Sequence, residues 1–72
     1  MGIHLKAYIL YIDDERYMVP TMEVVNALSD AAVRQLARAR LESGTHYLAV
    51  EIFEFNRKVG RVARKAQDPF PA

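Results

Sequence analysis

The chain contains no cysteine. Disulfide staples, thiolate metal ligands and cysteine nucleophiles are therefore excluded. It has three glycines, Gly2, Gly44 and Gly60, set far apart, so no glycine-rich loop exists to cradle a phosphate. No apolar run reaches the ~18 residues that a membrane-spanning helix requires. A secretory leader is not expected, because the apolar stretch from Met1 to Ile12 includes His4 and Lys6 and has no small-residue cleavage site. The opening Met1-Gly2 lacks the Ser or Thr that N-acylation needs at position 6, where Lys6 stands. These features lead us to expect a cytoplasmic protein with no membrane association and no cofactor.

What is present is an ordinary globular composition. Of 72 residues, 51% are hydrophobic and 26% charged, which excludes general disorder and leaves room for one domain. The net charge is +1 but unevenly spread. Residues 1–30 hold two bases and five acids, a balance of −3, whereas residues 31–72 hold eight bases and four acids, a balance of +4. Such asymmetry suits a nucleic-acid face, or attraction between the two halves of one chain or between two copies. Chain length adds a second constraint. A chain near this size buries only ~60% of its unfolded surface, so small domains lean on staples, metal, close packing or a partner.

Periodicity predicts five elements. His4 to Ile12 alternates Leu5, Ala7, Ile9 and Tyr11 with His4, Lys6, Tyr8, Leu10 and Ile12; both sets contain apolar residues, as in an interior strand. Asp13-Asp14-Glu15-Arg16 reads as a solvated polar turn. Tyr17 to Val19 reads as a return strand, with Pro20 on an edge and Thr21 to Val25 a continuing extended piece. Ser29 is a good N-cap for a helix from about Asp30 to Ser43, with Asp30 favoured at the positive helix end. Val33, Leu36, Ala37 and Leu41 form its apolar stripe. Asp30, Arg34, Arg38 and Glu42 form an i, i+4 ladder, and Gly44 is expected to end the helix in the left-handed conformation. Thr45 to Phe55 is a strand, Asn56-Arg57-Lys58 a turn, and Val59 to Arg64 a last strand with Gly60 at a bulge or close approach.

The helix turns the chain around, so the second and third strands run the same way and the first and fourth run opposite. The expected fold is α+β, a ββαββ domain over residues 1–65. Its four-stranded antiparallel sheet has the order 2-1-3-4 with one helix on one face, and residues 66–72 form a mobile tail. Leu48, Val50 and Ile52 are expected toward the helix. Tyr47, Ala49, Phe53 and Phe55, joined by Tyr8 or Tyr11, are expected on the opposite face, where a single helix leaves an aromatic patch uncovered.

The pattern resembles a group of very small uncharacterised bacterial proteins. The likeness is carried by Asp30-Ala31-Ala32 near a helix start, then Val50-Glu51-Ile52-Phe53, then Arg57-Lys58-Val59-Gly60-Arg61-Val62. It covers roughly residues 4–64 and departs from the group at Pro20 and in the basic 61–65 end. It implies the fold and transfers no activity.

Chemistry is sparse. Ser29 is used as a cap, and Ser43 is separated from His46 by a helix end, so no nucleophile and base are aligned. His4 and His46 fall toward opposite ends of neighbouring strands and share no metal site. Asp13, Asp14 and Glu15 lack the spacing of a calcium loop. The strongest functional hint is Arg57, Lys58, Arg61, Arg64 and Lys65, five bases in nine residues beside Phe53 and Phe55. A sheet with exposed aromatics and basic edges can hold single-stranded nucleic acid; charge on an edge strand also prevents aggregation. The sequence thus points to a non-enzymatic interaction module, a homodimer with room for another protein partner, with nucleic-acid binding as the alternative.

Overall fold

A computed structural model describes residues 4–64. The chain runs through β1 (Lys6–Asp14), β2 (Thr21–Ala27), α1 (Asp30–Glu42), β3 (Tyr47–Glu54) and β4 (Arg57–Ala63). The strands form one antiparallel sheet in the order β2-β1-β3-β4, as expected from the element order. Helix α1 packs on one face, closest to β3. The expected tail 66–72, with Lys65, lies outside the described residues.

Alternation in β1 decides the layers. Tyr8, Leu10 and Ile12 point toward the helix and are fully buried. Across the sheet Leu10 stands opposite Ile52 and Ile12 opposite Val50. From above, Val33, Ala37 and Leu41 complete the core at i, i+4 and i+8, one stripe of the helix. Leu36 falls off that stripe and is 44% exposed. At the helix start the Ser29 side chain accepts from the Ala32 amide at 3.1 Å, satisfying a donor with no helical partner.

Several local expectations change. Tyr17 to Val19 is an exposed loop, not a strand, and the return strand is Thr21–Ala27, two residues longer than the extended piece read there. Thr21 follows Pro20, the residue that cannot donate to a ladder. Asp30 does not join an i, i+4 ladder: its carboxylate accepts from the Tyr8 hydroxyl at 2.8 Å and from Arg57 at 3.1 Å. Gly44 is not left-handed. Its reason is space, since a Cβ there would meet the Tyr47 ring at 2.9 Å. The final hairpin turns at Phe55-Asn56, one residue earlier than Asn56-Arg57-Lys58, because Glu54 pairs directly with Arg57.

The core is small, so each large member counts. Leu41 is 1% exposed. Leu41→Ala is expected to cost about 2–5 kcal/mol, the usual range for a buried leucine, read as a lower midpoint in urea unfolding.

Candidate functional site

Two one-residue bulges, at Leu48 in β3 and at Val59 in β4, set which side chains face the helix. Tyr47 pairs with Asp14 and Ala49 with Asp13, leaving Leu48 extra. Phe53 pairs with Lys58 and Ile52 with Gly60, leaving Val59 extra. A bulge shifts the side-chain alternation by one residue. Beyond the first, Tyr47 swings to the helix side, where the Arg40 guanidinium lies 5.3 Å from its ring centroid. Leu48, expected toward the helix, is left 36% exposed. At the second, Val59 turns into the core. Gly60 lies against Arg34, whose Nε would stand 3.3 Å from an added Cβ.

The four residues expected as one partner surface therefore separate. Tyr47 is on the helix face. Ala49 is on the open face but 2% exposed, between Asp13 and Ala63 in the register. Phe55 is in the hairpin turn and 83% exposed. Phe53 remains on the open face, edge-to-face with Tyr11 at 5.6 Å between centroids. Tyr8, one of two tyrosines considered for that face, is buried on the helix side, and burial followed by its bond to Asp30 pushes its hydroxyl up to about 12.

The open face has other members. Ile9 pairs with Val24 and with Phe53, and Tyr11 with Met22. Met22 and Val24 are 60% and 64% exposed. Sequence reading missed these two because it assigned the return strand to Tyr17–Val19. The usable signal was the alternation of Met22 and Val24 with Glu23, Val25 and Ala27.

The basic hairpin is largely engaged within the fold. Arg57 bonds Asp30 and, at 2.5 Å, Glu54. Lys58 and Arg61 both approach Glu51, at 3.5 and 3.8 Å. Arg64 donates to the carbonyl oxygens of Leu41 (2.9 Å), Tyr47 (2.5 Å) and Gly44, closing the helix C-terminus where cations are favoured. Two helix arginines reach β4 as well: Arg34 donates to Val59 O at 2.9 Å and Arg38 to Ala63 O at 3.5 Å. A hollow of about 380 Å³ lies beside them, lined by Gln35, Ala39, Glu42 and Val62 too.

The acidic turn is not uniformly solvated. Asp14 is 3% exposed. Its carboxylate accepts from the Arg16 amide at 2.9 Å and from Arg16 Nε and Nη2 at 3.0 and 2.7 Å. These bonds outweigh burial and hold the carboxyl down to about 2. His46 Nδ1 lies 3.1 Å from Glu15, and the Ser43 hydroxyl donates to Arg40 O at 2.6 Å. The hydroxyl and the imidazole therefore each have a structural partner, and among the described residues no three acids or histidines gather as a metal site.

Two expected outcomes follow from these contacts. Phe55 has φ of 55°, a left-handed backbone that costs a side-chain-bearing residue roughly 1–2 kcal/mol. Phe55→Gly is expected to stabilise the isolated protein by about 1 kcal/mol, seen as a raised Tm. The Asp14 carboxyl ionises at about 2 when folded and at ~3.9 when unfolded. Its contribution is thus complete above pH ~4 and lost as pH falls through the folded value. Urea midpoints measured from pH 6 to 2 are expected to drop in that window, and Asp14→Asn to be less stable at pH 6 and to show a smaller drop.

No protein family, curated protein or solved structure matches this chain.

Proposed function

We propose that this chain is a small non-enzymatic interaction module that self-associates through its sheet. The observation that carries the reading is the apolar cluster on the side away from the helix: Met22 and Val24, more than half exposed, beside Ile9, Tyr11 and Phe53 in one register. One helix has no second apolar stripe to cover them. Exposed contiguous apolar surface of this kind is characteristic of association sites. The engaged state of Ser29, Ser43 and His46 supports a role without catalysis.

Nucleic-acid binding is the less supported alternative. A phosphate contact by Arg57, Lys58, Arg61 or Arg64 competes with an acid or carbonyl that each already touches. Sedimentation velocity across the micromolar range is expected to show a concentration-dependent dimer. A monomer throughout, with native circular dichroism, overturns the proposal. A random oligonucleotide is expected to bind weakly even at low salt; tight binding with a steep log–log salt slope shifts the assignment to the alternative.

A further inference from the structure

The two edges of the sheet are built differently. Edge strands invite pairing with another chain unless something blocks them. β4 carries Arg57, Lys58 and Arg61, is bulged at Val59, and has two carbonyls occupied by Arg34 and Arg38 from the helix. β2 pairs with β1 over seven residues without a register shift and contains no lysine or arginine. Its surroundings are apolar: Met22 and Val24 on the open face and Leu28 just past its end are all more than half exposed. Leu36 is also exposed, four residues before Arg40, the residue that reaches down to Glu23 on β2 at 2.9 Å. Residues i and i+4 share a helix face, so Leu36 lies on the flank that overhangs β2.

Resting on the self-association proposed above, we infer that the partner is a second copy of this chain, joined strand to strand along β2 about a two-fold axis at Val24. Val24 is the central residue of Thr21–Ala27. An antiparallel pair centred there overlaps the whole strand, sets Val24 against Val24, Met22 against Asn26 and Glu23 against Val25. It also leaves each Glu23 bonded to its own Arg40. Centring on Glu23 opposes two carboxylates, which is destabilising. Centring between residues puts the helices on opposite faces. The result is an eight-stranded sheet with both helices on one side and Leu28 and Leu36 at the seam, in which Met22 and Val24, the most exposed members of the open-face cluster, gain cover from Asn26 and Val24 of the second copy.

The chain has no thiol, so single cysteines report the register. Val24→Cys, exposed and on an edge, is expected to fold and to cross-link on mild oxidation, because opposed Cβ atoms lie ~4.5–5.5 Å apart. Met22→Cys alone is expected not to cross-link, its copies standing roughly 13 Å apart. A mixture of Met22→Cys and Asn26→Cys should give the mixed dimer. Circular dichroism checks that each variant is folded. A dimer that Phe53→Glu abolishes, with no Val24→Cys cross-link, overturns the edge assignment while leaving self-association in place. A monomeric wild type overturns both. A Phe53→Glu variant that remains dimeric, with the cross-link intact in Val24→Cys, upholds the edge.

Discussion

An α-helix with its side chains is about 10–12 Å across, and the outer axes of a four-stranded sheet stand roughly 14 Å apart. Here the apolar stripe of that helix is narrower still: Val33, Ala37 and Leu41. They share a core with Leu10, Ile12, Val50 and Ile52 on the two central strands. From the outer strands Ala27, Val59 and Val62 join that core, and long side chains reach further over those strands. Arg34 and Arg38 extend over β4, and Arg40 extends over β2. Arginine suits this work because its stem covers apolar surface while its fork reaches a carbonyl or carboxylate. Much of the basic character of the second half of the chain therefore serves to widen a roof that one helix leaves too narrow.

The charge imbalance along the sequence resolves in the same way. Acids of the first thirty residues meet bases of the remainder, Glu23 with Arg40 and Asp30 with Arg57, and Glu15 lies beside the His46 ring. Each is partly exposed and individually worth little, but together they tie β2, the helix start and the loop after β1 to the second half of the fold. Asp30 is the most connected of them. It stands in the first helical turn, accepts from buried Tyr8 and is held below the usual carboxylate range by Arg57 first and Tyr8 second. Helix start, β1 and the base of the β3–β4 hairpin thus meet at one carboxylate.

The same shortage of cover leaves the opposite face of the sheet without a helix, and the two halves of that face differ. Toward β4, Glu51 lies between Lys58 and Arg61, a polar surface at ease in water. Toward β2 it is Ile9, Tyr11, Met22 and Val24. Water contact with that half is unfavourable at roughly 25 cal/mol per Å² of apolar surface. This is the physical basis for assigning association to the β2 side rather than to the basic hairpin.

The sequence by itself determined the element order, the antiparallel 2-1-3-4 arrangement, the Ser29 cap and the placing of Val50 and Ile52 toward the helix. Those features follow from periodicity and from capping, which act over a few residues and can be read locally. Which of the two apolar sets of β1 is buried, Tyr8, Leu10 and Ile12, was decided by the tertiary structure. The sequence placed β2 too early because Tyr17 to Val19 is as strand-like in composition as Met22 to Val25. Only pairing with β1 separates the two. Tertiary structure alone decided that Tyr47 and Val59 face the helix, since a one-residue bulge reverses a two-residue period and the partner strand's register sets where it falls. It alone decided the fate of Arg34, Arg38, Arg40 and Arg64, which reach partners 17 to 25 positions away in the chain, beyond the reach of any local pattern. The candidate surface consequently kept Phe53, lost Tyr47 and Ala49, and gained Met22 and Val24.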